Sequence, residues 1–144
     1  MVLANVGFSW AFHTGRDAVG EIKPGMAVTS TALTADTYDC ELPDAANDIA
    51  AGAALRNPEH DMDIAYAQWD EFEVALTGGG HLVWGHLHDS TGNKFGSKLA
   101  ITVAGAGTVT DINEANVIEH FAIKFSETAS TAAVQPCLMI LIPG

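Results

Sequence analysis

The chain has 144 residues, 48% of them hydrophobic and 17% charged, with 14 glycines and a formal charge of −12. That is long enough for one domain to close a core without disulfide or metal staples, and too apolar for a disordered tail. The excess of 18 acidic over 6 basic residues, with no basic cluster, excludes direct nucleic-acid binding, because affinity for phosphates comes from clustered Lys and Arg.

Val6, Phe8, Trp10 and Phe12 alternate with Gly7, Ser9, Ala11 and His13, the two-residue period of a strand with one apolar face. A turn is expected after Arg16. Strands are then expected at 25–30, 37–42 and 48–56, with Pro43-Asp44 as a turn and Gly52 marking a close backbone approach. Residues 57–70 read as a surface excursion with at most a helical turn, pinned by Tyr66 and Trp69. Glu71-Phe72-Glu73-Val74-Ala75-Leu76 alternates strictly, and Thr77-Gly78-Gly79-Gly80 turns it into a partner strand at 81–88. Leu99, Ile101 and Val103 share a face, Gly105-Ala106-Gly107 turns, and 111–116 is a short loop or helical turn. Val117, Phe121, Ile123 and Phe125 share the next face. Residues 138–142 are apolar at every position, as a central strand buried on both faces would be.

Ile22-Lys23-Pro24-Gly25-Met26-Ala27-Val28 is echoed by Asn93-Lys94-Phe95-Gly96-Ser97-Lys98-Leu99, and each copy runs on to a returning apolar stretch, 49–55 in the first and 117–125 in the second. A doubled hairpin unit of this kind predicts an all-β fold, a small β-barrel or β-sandwich of about ten strands. The predicted organisation is an N-terminal extended arm at 1–18 and a single β-barrel-like domain at 19–144. The arm can close the barrel or reach a neighbour's open edge.

Residues 1–5 lack the basic region of a signal peptide, so none is expected, and the longest apolar run, 137–142, is too short to span a bilayer, so no membrane partner is expected. Cys40 and Cys137 could pair but read as buried thiols. The acidic residues are spread through turns and strand edges, which fits solubility by self-repulsion or a surface adapted to high salt.

The sharpest chemical candidate is the pair His86 and His88, two residues apart on one strand, as in half of a metal site. The glycine spacing around them is similar to the first motif of the cupins. The expected acidic ligand falls near Asn93, however, and only His120 follows downstream. His60 with Asp61 and Asp63, and Glu71 with Glu73, read as solvated surface charge. No nucleophile elbow, phosphate-binding glycine loop or reactive-cysteine motif is present in the sequence, so no catalytic residue, metal or cofactor is assigned and no enzyme is expected.

Four stretches carry a family resemblance: Ile22-Lys23-Pro24-Gly25-Met26-Ala27-Val28, Ile49-Ala50-Ala51-Gly52-Ala53-Ala54-Leu55, Val74-Ala75-Leu76-Thr77-Gly78-Gly79-Gly80 and Phe95-Gly96-Ser97-Lys98-Leu99. Over residues 21–125 the pattern resembles the head decoration, or capsid cement, proteins of tailed viruses. It departs from them at Glu119-His120-Phe121, where a glycine is expected, and in the long segment 57–70. The resemblance implies a virion structural protein, made in the host cytoplasm, that binds the outer surface of the assembled capsid and stabilises it. Its partners would be the major capsid protein and further copies of itself, as a homotrimer. Phe8, Trp10 and Phe12 are the expected capsid or subunit contacts. Three alternatives remain open: a cupin-like metal enzyme, another β-barrel virion component such as a tail or spike subunit, and a carbohydrate-binding module using Tyr66, Trp69 and Trp84. Against the last of these, Trp84 reads first as a ring packed in the core.

Overall fold

A computed structural model of the chain describes residues 12–34, 37–44, 48–57, 60–88, 95–102, 107–111, 117–125 and 134–142. The described residues form ten strands and no helix. They are β1 (Phe12–Asp17), β2 (Ala27–Thr34), β3 (Thr37–Glu41), β4 (Ala50–Ala54), β5 (Glu71–Leu76), β6 (Leu82–Leu87), β7 (Lys98–Thr102), β8 (Val109–Asp111), β9 (Val117–Lys124) and β10 (Gln135–Leu141). The short, glycine-punctuated alternating runs give strands of the usual globular length.

These strands close two small barrels in succession, in the orders β1-β3-β2-β4-β5 and β6-β8-β7-β9-β10. In the first, β1 and β3 run parallel and all other neighbours are antiparallel; in the second, β6 and β8 are the parallel pair. The second barrel thus repeats the first strand for strand.

Backbone hydrogen bonds match in the same way. Gly25 N–H donates to the Ala54 carbonyl at 2.7 Å and Ala54 N–H to that of Met26 at 2.9 Å; Gly96 N–H donates to Lys124 and Lys124 N–H to Ser97, both at 2.8 Å. Gly25 and Gly96 hold φ of 87° and 88°, the left-handed region that explains why glycine is the residue both copies keep. The repeat read from 22–28 and 93–99 is therefore the start of β2 and of β7. Each unit begins one strand earlier, at β1 and β6, where Gly15 and Gly85 correspond. A Cβ on Gly15 would lie 2.8 Å from Val74 Cγ2, and one on Gly85 2.4 Å from Met139 Cε.

Residues 12–17, placed in the arm by the sequence pattern, are β1 of the first barrel, held between β3 and β5. The hydrophobic phase runs smoothly from residue 6 to residue 12, so nothing local marks where a barrel strand starts.

Val28, Tyr38, Cys40, Ala54, Phe72 and Val74 fill the first barrel, capped by Ile22 and Tyr66. Leu87, Leu99, Ile101, Val109, Phe121, Cys137, Met139 and Leu141 build the second core, and Ala27, Ala50, Ala53 and Ala75 of the first barrel belong to the same cluster. Ala27, Ala53 and Ala75 lie in register across β2, β4 and β5. A row of methyl groups lets the barrels approach closely. At this seam Ala27 N–H donates to the Gly107 carbonyl at 2.8 Å, and a Cβ on Gly25 would sit 2.2 Å from the Trp84 carbonyl oxygen. Cys40 and Cys137 are buried, one in each of these two clusters, and no disulfide joins them.

Candidate functional site

Strand alternation sends Val83, Gly85 and Leu87 of β6 inward and leaves Leu82 and Trp84 outside, 51% and 52% exposed. On β10 it buries Cys137, Met139 and Leu141 and turns Leu138 and Ile140 outward, half-buried. Register aligns the outward residues. Leu82 lies opposite Ile140, which lies opposite Ile123 on β9; Trp84 lies opposite Leu138, whose carbonyl accepts from Phe125 N–H at 2.8 Å. The exposed Phe125 ring meets the exposed Phe95 ring edge-on, centroids 5.4 Å apart. Two apolar rows thus cross three strands on the outside of the second barrel, a contiguous patch of the kind that marks interaction surfaces.

The first barrel serves as an internal control. At the equivalent places Phe12 stands for Leu82, Thr14 for Trp84, Ala75 for Ile140, Glu73 for Leu138, Ala53 for Ile123 and Leu55 for Phe125. The same fold closes with Thr14 and Glu73 where the second barrel carries Trp84 and Leu138. Barrel closure therefore does not require an indole and an isobutyl group there.

On the first barrel this equivalent face is hollow. Thr14, Glu71 and Glu73 form the floor and Leu55, Arg56 and Asn57 the wall of a cavity of about 440 Å³. It continues, through Leu55, Arg56 and Glu73, into a second hollow of about 280 Å³ lined by Met62, Leu82 and Trp84. The wall belongs to the segment between β4 and β5, residues 55–70; the matching segment of the second barrel, 125–134, is shorter. A ring column supports it: His60 stacks on Tyr66 at 4.4 Å and Tyr66 on Phe72 at 4.6 Å, while Tyr66 Oη donates to the Leu55 carbonyl at 2.6 Å. Arg56 is held by Nε donating to the His60 carbonyl at 2.9 Å and by an ion pair with Asp61 at 3.3 Å.

Of the expected contact residues, Phe8 and Trp10 lie outside the described residues. Phe12 opens β1, is exposed, and packs its ring 4.1 Å from that of His81. His86 is buried at the seam, its Nε2 2.8 Å from the Pro24 carbonyl oxygen and donating to it. His88 is half-buried, and the His120 side chain lies outside the described residues. Among the described residues no three His, Cys, Asp or Glu side chains gather as metal ligands.

Tyr66, expected to pin segment 57–70 and, in the carbohydrate-binding alternative, to be a surface ring, is buried: it stacks in the column and its hydroxyl donates to the Leu55 carbonyl. Trp69 is exposed, with the Arg16 guanidinium 5.1 Å from its ring centre. Trp84, expected in the core, is exposed because closure turns Val83 and Gly85 inward instead. The reading of 138–142 as buried on both faces fails for the same reason: Leu138 and Ile140 face outward. Their signal was present in the sequence as an apolar outer phase, and burial was the wrong explanation for it.

No family model matches the sequence, and no curated protein matches it. By structure the chain is similar to a chain of the capsid of Myoviridae phage XM1, with 17% identity and a TM-score of 0.56 over 91% of this chain and 82% of that one. It is also similar to the head fiber gp8.5 N base of bacteriophage phi29, with 14% identity and a TM-score of 0.49 over 90% and 92%. At these identities the likeness is one of fold.

Proposed function

We propose that this chain is a virion structural protein that binds the outer surface of an assembled capsid and stabilises it, in several copies arranged as trimers around the sites where major capsid subunits meet. The fold likeness to a chain of a phage capsid supports this reading, as does the sequence resemblance to decoration proteins. One observation carries it: the apolar face of Leu82, Trp84, Leu138, Ile140, Ile123 and Phe125, at a position where the twin barrel is partly polar. Both sheets are closed, so the described body offers no strand edge to a partner, and docking through it runs face to face through side chains. Phe12, with Phe8 and Trp10 ahead of it, supplies a second contact.

The physics of stabilisation is linkage: a protein that binds the assembled shell and not its separate subunits shifts assembly by mass action, and many modest contacts sum over the particle. The acidic surface keeps decorated particles apart.

Co-sedimentation with empty shells tests the proposal. The double variant Leu138→Asp/Ile140→Asp remains folded, since both side chains are outward, and places charge in the middle of the interface. A loss of about 2 kcal/mol, typical of a central contact, weakens binding about 30-fold. Deleting residues 1–11, which spares β1, weakens binding in turn. Undiminished binding by the double variant would sink the assignment of this face.

A further inference from the structure

We propose that the trough beside the first barrel is a binding site for a neutral saccharide; it borders the shell-docking face, sharing Leu82 and Trp84 with it, and does not depend on the capsid reading. Comparison of the two barrels isolates it. The faces of β1-β5 and β6-β10 are topologically equivalent, yet one is an open apolar surface and the other a walled hollow with a polar floor. The wall is made by the connection that is longer in the first barrel, so the fold itself does not need it.

The chemistry of the lining selects the ligand class. A pyranose ring presents a face of C–H groups and an edge of adjacent hydroxyls. The exposed indole of Trp84 offers a flat apolar platform at one end of the trough. The Glu73 carboxylate, the Arg56 guanidinium, the Asn57 amide and the Thr14 hydroxyl lie along the rest. These are planar or small groups that bond pairs of neighbouring hydroxyls. Glu71 and Glu73, on a chain of net charge −12 and with Arg56 already paired to Asp61, disfavour anionic ligands such as phosphates, nucleotides and acidic sugars. The two hollows adjoin and are open to solvent, which fits a few consecutive sugar units better than an enclosed small cofactor.

The geometry is also prepared in advance. Arg56 is tethered to the His60 carbonyl and Asp61, and the His60-Tyr66-Phe72 column fixes the wall on which it stands. Little ordering cost then remains for the ligand to offset.

The test is titration of the full chain with maltohexaose, cellohexaose and chitohexaose, followed by tryptophan fluorescence and calorimetry, with hexagalacturonate and hexalysine as comparison ligands. The expected result is saturable binding of at least one neutral hexasaccharide, weakened at least tenfold by Trp84→Ala and by Glu73→Gln. Both side chains are exposed, so both variants keep the fold. Leu138→Asp/Ile140→Asp leaves this binding intact while weakening binding to shells about 30-fold, which separates the two proposals. Absence of binding by all three neutral sugars overturns the inference. So does binding indifferent to both trough variants, or a stronger response to hexagalacturonate or hexalysine.

Discussion

Single residues in the first barrel report its closure through their proton affinities. Burial, with the nearby carboxylates of Asp17 and Asp39, pushes the Cys40 thiol from 9.0 up to about 12. Burial and the neighbouring Cys40 raise the Tyr38 hydroxyl from 10.0 to about 12. In the window between those values the folded chain keeps protons that the unfolded chain releases, so folding stability falls as pH rises. It is fully present below pH 9, declines from there, and these contributions are gone above about pH 12. Urea midpoints measured from pH 7 to 11 should drop above pH 9, and Cys40→Ala should postpone the drop to about pH 10, where Tyr38 and Tyr66, whose hydroxyl burial also raises, remain. Midpoints that stay flat to pH 11 would show that neither group is sequestered.

Elements carry the division of labour between the two halves. The row Ala27-Ala53-Ala75 of the first barrel occupies the register that Lys98-Ile123-Ile140 occupies in the second. The alanines are buried at the seam, while Lys98 is exposed and Ile123 and Ile140 are half-buried. Ala53→Leu adds three carbons where two backbones nearly touch, and overpacking of that kind costs about 1–3 kcal/mol. Ile123→Leu at the matched outer site should change stability by less than about 0.5 kcal/mol. Equal effects in chemical denaturation would show that the seam is looser than its close approaches indicate. Glycines and alternation made the strands and the repeat legible, because both are local. The outer face was not legible, since alternating apolar residues on both sides of β6 and β10 look the same whether a side meets a core or a partner.

At the scale of the whole molecule, the question is whether two barrels behave as one body. The cluster that fills the second barrel includes alanines of the first, and His86 bonds the Pro24 carbonyl 62 positions away. A core shared in this way predicts a single calorimetric transition whose van't Hoff and calorimetric enthalpies agree. The transition temperature should rise with added NaCl, because a net charge of −12 repels itself and salt screens that repulsion. Two resolved transitions would show that the halves fold independently, and indifference to salt would remove the reading of a surface adapted to high ionic strength.

By itself the sequence determined the all-β class, the near-tenfold strand count and the duplicated unit, since two-residue alternation and glycines needing positive φ are written in neighbouring residues. It also placed Gly25 and Gly96 in equivalent turns. Only the tertiary structure decided that the duplication closes two barrels in place of one, and that β1 is part of the first. It also decided that Trp84, Leu138 and Ile140 face outward while Tyr66 and His86 are buried. Closure pairs strands distant in the chain, and the choice of which side of a strand becomes interior is made by those distant partners. No local pattern contains that choice.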